Sequence, residues 1–402
     1  GAGQVGGRSA RGRVRPGLHR VLVASLPESC VPITRRPDVH LNASLAPVLP
    51  PAGHLGLFSQ SGALGIAVLA DAARRNLGIS IFASAGNRVD VSGNDFMQYW
   101  IDDDDTHVVG LYLESMGNPR KFSRIGRQLA LRKPVIVVKS GISSYSVPPG
   151  HQARTTRVPP AAFDAMLRQA GVIRVENVHQ LFDVAQLLVH QPLPRGGRVA
   201  IVGNSTALGA LTAEACVSWG LEIAHGPVCL PAEATTTEFT TALDAAFEDE
   251  DVDSVLTCFT PPLVTRGVDV THAVVESAAR SEKPCVSTFL GMRGVTAVLS
   301  GQDREDEGHA RAVPAYPMPE DAVRALVAAT RYGQWRARDR GYLVNPSGVK
   351  RDAAGHTLQR IPAAAPAGRS ISPPQAHTFL SPHAVGLTPP LPSPPDDDAS
   401  AP

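Results

Sequence analysis

The sequence predicts an α/β protein built from two parallel-sheet domains. From Gly53 to about Pro192 short apolar runs alternate with stretches of helical period. The sequence HQPLPRGG at 190–197 interrupts this alternation, and a second alternation of the same kind begins at Arg198. Short apolar strands interleaved with amphipathic helices belong to parallel sheets covered on both faces, because a strand buried on both sides has no polar face to present.

The elements follow in order. In the first half, strands are expected at Leu55–Phe58, Ile79–Ala83, Val108–Leu113 and Val135–Lys139, with helices at Ala63–Arg75, Asp95–Ile101 and Pro119–Leu131. A helix at Pro159–Gln169, a short strand GVIRV and a helix at Val178–Leu188 complete it. The second half offers a strand at Arg198–Val202, a helix at Thr206–Gly220, a strand at Val255–Phe259, a helix through Ala273–Ala279 and a strand at Pro284–Leu290. Pro319 and Glu320 then suit the start of a helix whose apolar face carries Ala322, Leu326 and Ala329.

One stretch organises the rest. Leu55–Phe58 is too short for a helix; Ser59-Gln60-Ser61-Gly62 supplies turn and N-cap chemistry; Leu64, Val68, Leu69 and Ala72 then recur at helical spacing. A helix therefore begins where a strand ends. Its first backbone N–H groups lack partners and carry about half a positive charge, which suits a phosphate, and the hydroxyls of Ser59 and Ser61 add donors. An ordinary capped helix fits these residues equally. The pattern recurs, however: RVAIVGNSTALGALTAEA parallels HLGLFSQSGALGIAVLADA, with Gly203-Asn204-Ser205 at the turn. In parallel sheets ligands sit at the carboxyl ends of the strands. That rule puts Ser59–Gly62, Ala85–Asn87, Glu114–Gly117 and Ser140–Ser144 along one edge.

Composition narrows the function classes. With 38 basic and 37 acidic residues among 402, the chain has no global attraction for nucleic acid or an anionic membrane, and neither partner is expected. Five cysteines, Cys30, Cys216, Cys229, Cys258 and Cys285, form no CxxC pair and read as core residues of a protein in a reducing cytoplasm. No apolar run approaches the roughly 20 residues that span a bilayer. No clear signal peptide opens the chain, which also lacks an initiator Met, as a processed or incomplete piece would. Asp102–Asp105 reads as a solvated turn, and no metal site is expected. His107, His179 and His190 read as solvated or structural. Residues 1–40, opening with an acid-free Gly/Arg-rich segment, are expected to be a disordered basic arm; residues 345–402, Pro-rich and ending near Asp396-Asp397-Asp398, a disordered tail.

Several blocks resemble the NDP-forming acyl-CoA synthetase superfamily, which includes ADP-forming acetate–CoA ligase and succinyl-CoA synthetase. GLFSQSGALG resembles its phosphate-binding turn and helix, SAGNRVDVSGNDFMQYWIDDDDTHVVGLYLE its S-x-G-N-x-x-D…D…Y-x-E block, and RKPVIVVKSG the strand after it. AFDAMLRQAGVIRV is similar to the helix and strand that follow its active histidine, and VPAYPMPEDAVRAL to the helix leading toward its nucleotide-binding domain. The resemblance covers Leu41 to Trp335.

It implies two flavodoxin-like domains, at 41–192 and 196–335, facing each other. A loop histidine is phosphorylated between two helix N-termini. Ser59, Gln60, Ser61, Gly62 and Ala63 match the first phosphate-binding helix start, and Gly203, Asn204 and Ser205 occupy the place of the second. The histidine is expected between Ser140-Gly141 and the AFDAMLRQAG helix, where only His151 lies. Glu114 matches the carboxylate that hydrogen-bonds the imidazole, fixing its tautomer and leaving the other nitrogen as nucleophile. The implied substrates are CoA or acyl-CoA and ATP or ADP, with Mg2+ entering only through a nucleotide-binding partner. The implied partners are an ATP-grasp nucleotide-binding domain or subunit and a CoA-binding domain.

Three features depart from the family pattern. His151-Gln152-Ala153-Arg154 stands where the family reads His-Thr-Gly, and GNSTALG is poorer in glycine than the usual second turn. No Gly-rich CoA-binding domain is expected before Leu41, nor an ATP-grasp domain after Trp335. Two further readings therefore stand beside a ligase fragment: a catalytically silent acyl-CoA-sensing module of a protein N-acetyltransferase, and a truncated product without activity.

Overall fold

A computed structural model describes residues 33–36, 39–40, 50–85, 92–139, 160–231, 233–260, 267–289, 299, 311–339 and 373–381. The 140–159 segment with His151, and the Gly86-Asn87 end of one strand-edge loop, lie outside them. The chain divides after Arg338 into two units.

In the first unit, the leading sheet is formed by β1 (Ile33–Arg36), β2 (Val39–His40), β3 (Ala52–Ser59), β4 (Ile79–Ser84), β5 (Val108–Leu113), β6 (Val135–Lys139) and β7 (Ile173–Val175). Between and after these strands run α1 (Gly62–Arg74), α2 (Gly93–Trp100), α3 (Pro119–Ala130), α4 (Pro160–Ala170) and α5 (Val178–His190). The strand order is β2-β1-β4-β3-β5-β6-β7. A second sheet, ordered β12-β11-β10-β8-β9, contains β8 (Arg198–Gly203), β9 (Glu222–Cys229), β10 (Ser254–Phe259), β11 (Cys285–Phe289) and β12 (Ala315–Tyr316). Its helices are α6 (Thr206–Trp219), α7 (Thr236–Glu248), α8 (Gly267–Ala279) and α9 (Pro319–Ala337).

Counted from β3 and from β8, the parallel strands of each sheet run 2-1-3-4-5, so the protein is α/β with two flavodoxin-like sheets. This order reverses direction beside its first strand. The crevices that result lie between β3 and β5 and between β8 and β10.

Several elements differ from expectation. β9 and α7 were not anticipated, and α8 starts six residues before the expected Ala273. The arm expected to lack structure through residue 40 gives its last residues to the sheet: Ile33 and Thr34 pair antiparallel with Phe82 and Ile81, and β2 folds back on β1. An open strand edge invites foreign pairing, and this hairpin covers the outer edge of β4. Within the expected tail, α10 (Pro373–Leu380) forms in the second unit. No helix among the described residues is long and apolar enough to cross a membrane.

One hydrophobic core runs through both sheets of the first unit, from Leu55, Phe58 and Trp100 to Val286, Leu326 and Tyr332, and a second cluster around Phe239, Phe259 and Phe289 fills the far side of the second sheet. Gly56 has no room for a side chain, since a Cβ there would come 2.8 Å from Trp100. Burial pushes the Cys216 and Cys285 thiols up to about 12 and Cys258 up to about 11, leaving them protonated packing groups; Cys229 is exposed.

Helix α5 ties the sheets together. Arg75, its side chain 1% exposed, donates from Nη1 to Asp183 at 2.6 Å and from Nε to Asp71 at 3.2 Å. The Asp183 carbonyl accepts from the Tyr316 hydroxyl at 2.8 Å. Gln186 donates to Ala315 O at 3.3 Å, and Gln191 both donates to Ala312 O at 2.6 Å and accepts from Cys285 N at 2.8 Å. Tyr332 donates to Ala130 O at 2.8 Å.

Two stability experiments follow. Asp183→Ala removes the shorter of the two carboxylate contacts of the buried Arg75, leaving Asp71, and is expected to cost roughly 1.5–3 kcal/mol, read from the denaturant midpoint. At the end of α5, burial lowers His190 to about 4, and its Nε2 has no hydrogen-bond partner among the described residues. Between its ordinary value of 6.5 and about 4 the unfolded chain binds the proton and the folded chain does not, so stability falls as pH drops through that window. His190→Gln is expected to flatten that acid limb; an unchanged slope refutes the assignment.

Candidate functional site

β3 delivers Ser59 to the carboxyl edge of its sheet, level with Ser84 on β4 and Tyr112 on β5. There the chain turns into α1. Ser61 is the N-cap, extended at φ −116, and its Oγ accepts from Leu64 N at 3.4 Å. Ser59 Oγ accepts from Ser61 N at 3.2 Å and donates to Ser61 O at 3.0 Å, which holds the turn. Gly62 and Ala63 are the first two helical residues, and the helical ladder starts with Gly65 N on Ser61 O. Helix geometry therefore leaves the Gly62 and Ala63 N–H groups directed out of the N-terminus.

Gln60 lies beneath this turn, 6% exposed. Its Oε1 accepts from Glu114 N at 2.8 Å and Ser115 N at 2.9 Å, and its Nε2 donates to Ser115 O at 2.8 Å. Its own N–H bonds to Tyr112 O at 3.1 Å. The loop after β5 is thus fastened to the start of α1. Glu114 is exposed, and its carbonyl accepts from Lys139 Nζ at 2.8 Å. Burial draws the Lys139 ammonium below the usual lysine value, opposed by the Glu114 carboxylate.

The second sheet repeats the arrangement. Gly203 ends β8, where a Cβ would stand 2.2 Å from Cys258 O. Ser205 caps α6 and accepts from Leu208 N at 3.4 Å. Asn204 Oδ1 accepts from Thr260 N at 2.8 Å and Thr260 Oγ1 at 3.1 Å, while Nδ2 donates to Thr260 O at 2.8 Å. Neither α1 nor α6 has an acidic residue in its first turn, a property shared with α3, α4, α5 and α10. The positive end of each dipole therefore meets no carboxylate of its own helix, which is compatible with an anion there.

Ser59, Gln60, Ser61 and Glu114 are brought together at one crevice, and Gly203, Asn204 and Ser205 form the other with Thr260. Sequence reasoning did not find Thr260, Lys139, Ser84 or Asn94. Each directly ends or follows a strand or opens a helix, the one signal available. Ser84 Oγ and Asn94 Oδ1 are buried without a hydrogen-bond partner among the described residues. Such an orphan costs roughly 1–3 kcal/mol. Ser84→Ala is accordingly expected to raise stability by about 1 kcal/mol in a denaturant titration; a loss of stability means the hydroxyl is satisfied.

Two flavodoxin-like sheets, each opening at its crevice onto a serine-capped helix, define the class: a two-domain flavodoxin-like α/β protein. A succinyl-CoA ligase-like flavodoxin domain matches residues 52–188. An ADP-forming acetate–CoA ligase I of Archaeoglobus fulgidus is 30% identical over 346 residues, 81% of this chain and 48% of the relative. The ADP-forming acetate–CoA ligase I subunit alpha of Pyrococcus furiosus is 28% identical over 326 residues, 74% of this chain and 68% of the relative. The apo structure of a dinucleotide-forming acetyl-coenzyme A synthetase 1 from Ca. Korarchaeum cryptofilum superposes with TM-score 0.65 at 26% identity, covering 74% of this chain and 68% of that one. Its complex with phosphate and ADP gives 0.64 at 25% identity, with the same coverage. The chain carries a succinyl-CoA ligase-like flavodoxin domain and is similar along most of its length to ADP-forming acetate–CoA ligases. It spans about half the length of the Archaeoglobus relative.

Proposed function

We propose that this chain is the phosphoryl-transfer portion of an ADP-forming acid–CoA ligase. The observation that carries the reading is the α1 N-terminus opening at the β3–β5 crevice with the Glu114 loop bonded to its side through Gln60. The match to a separate subunit alpha in Pyrococcus furiosus supports a division of the activity between chains.

In the proposed reaction an oxygen of inorganic phosphate attacks the acyl-CoA carbonyl, and CoA leaves as thiolate, which takes up a proton. An imidazole nitrogen of His151 then attacks the phosphorus of the acyl phosphate, and the free acid leaves as carboxylate. Finally the terminal phosphate oxygen of a nucleoside diphosphate takes the phosphoryl group from His151. Glu114 accepts a hydrogen bond from the other imidazole nitrogen and stabilises the charge that develops there. The Gly62 and Ala63 N–H groups with the Ser61 hydroxyl hold the phosphoryl oxygens, the Ser59 hydroxyl holds the turn that presents them, and the Gly203–Ser205 turn serves as the second seat. These groups supply positioning and fixed positive charge. A CoA-binding domain and an ATP-grasp domain or subunit complete the enzyme, and Mg2+ arrives with the nucleotide.

The test is phosphorylation of the full chain. With acetyl-CoA and radiolabelled phosphate, or with labelled ATP and a complementing nucleotide-binding partner, an acid-labile label is expected that His151→Ala abolishes and Glu114→Gln slows by about 10²-fold or more. A folded sample that never labels under either condition refutes the ligase reading; saturable acyl-CoA binding by that sample would favour a sensor.

A further inference from the structure

We infer that Gln60 and Asn204 are positioning residues: each amide sets the loop that follows a neighbouring strand against a phosphate-seating helix, and neither acts through a phosphate contact of its side chain. The inference rests on the phosphoryl-transfer reading above and assigns the geometry of that site to two residues.

The hydrogen-bond inventory carries it. An amide carbonyl has two lone pairs, and Gln60 Oε1 uses both, on Glu114 N and Ser115 N. Gln60 Nε2 donates to Ser115 O, so one side chain satisfies a donor and an acceptor of the same loop residue. Only a carboxamide does this. A carboxylate has no donor for Ser115 O, an ammonium or guanidinium no acceptor for the two N–H groups, and an apolar residue would leave all three bonds unmade.

The second sheet supports the same assignment independently. Asn204 accepts from Thr260 N and donates to Thr260 O, again pairing both polar groups of one residue. The partner is the first residue past β10, whereas Gln60 also reaches the second residue past β5. The shorter side chain spans the shorter distance. Both amides sit immediately before a serine N-cap and cross to the third strand of their sheet, the place where the 2-1-3 strand order opens the crevice.

The consequence concerns Glu114. Its backbone is pinned from one side by Gln60 on its N–H and from the other by Lys139 on its carbonyl. Releasing the N–H lets the carboxylate drift from the seat. Displacement of a reacting group by about 1 Å costs on the order of 10²-fold in rate.

The test uses the full chain with Gln60→Met, which keeps the length and removes the polar groups, and Gln60→Glu, which keeps the size and removes the donor. The acid-labile labelling of His151 is expected to slow by about 10- to 100-fold in Gln60→Met, with KM for the phosphoryl donor changed less than about twofold, whereas Gln60→Glu adds a repelling charge and raises KM as well. The double variant with Glu114→Gln should be no slower than Glu114→Gln alone, since both changes remove one function. Amide hydrogen exchange at Glu114 and Ser115 should accelerate in Gln60→Met, and that at Thr260 in Asn204→Leu. Labelling at the wild-type rate in Gln60→Met overturns the inference, as does a tenfold rise in KM that adds fully to the Glu114→Gln effect, the mark of direct phosphate contact. If the wild-type chain never labels, the ligase reading fails on its own. The exchange data then decide the clamps, and unchanged rates at these amides refute them.

Discussion

Asp183 holds a negative charge where two sheets meet, and the geometry of the first unit depends on how that charge is compensated. Its carboxylate takes Arg75 from the end of α1, and its carbonyl takes the hydroxyl of Tyr316 from β12. The Arg75 guanidinium also lies over the Phe182 ring, 5.5 Å from its centroid. Apolar contact between α5 and α9 would tolerate sliding, because it has little directional preference. Charge-assisted hydrogen bonds at fixed angles do not. The ion pair contributes little net stability once desolvation is counted, so its effect lies in register: it fixes α5 against α1, and the Asp183 carbonyl and Gln186 carry that placement to β12.

The same interaction reaches the candidate site through α1. Thirteen helical residues at 1.5 Å each make a rod of about 20 Å, anchored at one end by Arg75 and at the other by the Ser61 cap and the Gln60 bonds. In α6 the corresponding far end carries a left-handed Gly220 cap at φ 83, and Arg331 donates to Trp219 O at 3.4 Å while Arg324 lies over the Trp219 ring. Both helices therefore end beside an arginine and begin without an acidic residue. A cation at the C-terminus satisfies the negative end of the dipole, and the positive end is where the proposed reaction places its phosphate.

The parallel sheets were legible because burial on both faces writes an apolar run directly into the sequence; β5 and β6 begin and end where the runs do. β9 was hidden for the opposite reason. It is an edge strand with mostly exposed residues, and Gly226-Pro227 reads as a break, although proline is tolerated at an edge. α7 was hidden by its threonines, which disfavour helix, although Thr235 and Glu238 form a capping box before Phe239, Leu243, Ala246 and Phe247. At the site, the caps Ser61 and Ser205 could be read locally. The partners of Gln60 and Asn204 could not: they are 54 to 56 residues away, and strand order rather than periodicity brings them close.

That distance also explains why neutral amides suit these positions. A group bridging two loops under an anion seat must pair peptide N–H and C=O without altering the charge of the site. A carboxylate at residue 60 would oppose the phosphate that the proposed reaction places at α1, and a lysine or arginine would add a fixed cation able to retain a phosphoryl group after such a transfer. In a transfer site the phosphoryl group must be held and then released. Backbone N–H groups and hydroxyls attract it moderately, and rigid neutral clamps keep those donors aligned without deepening the well. Gln60 and Asn204 meet that requirement with side chains of different length, each fitted to the loop it holds.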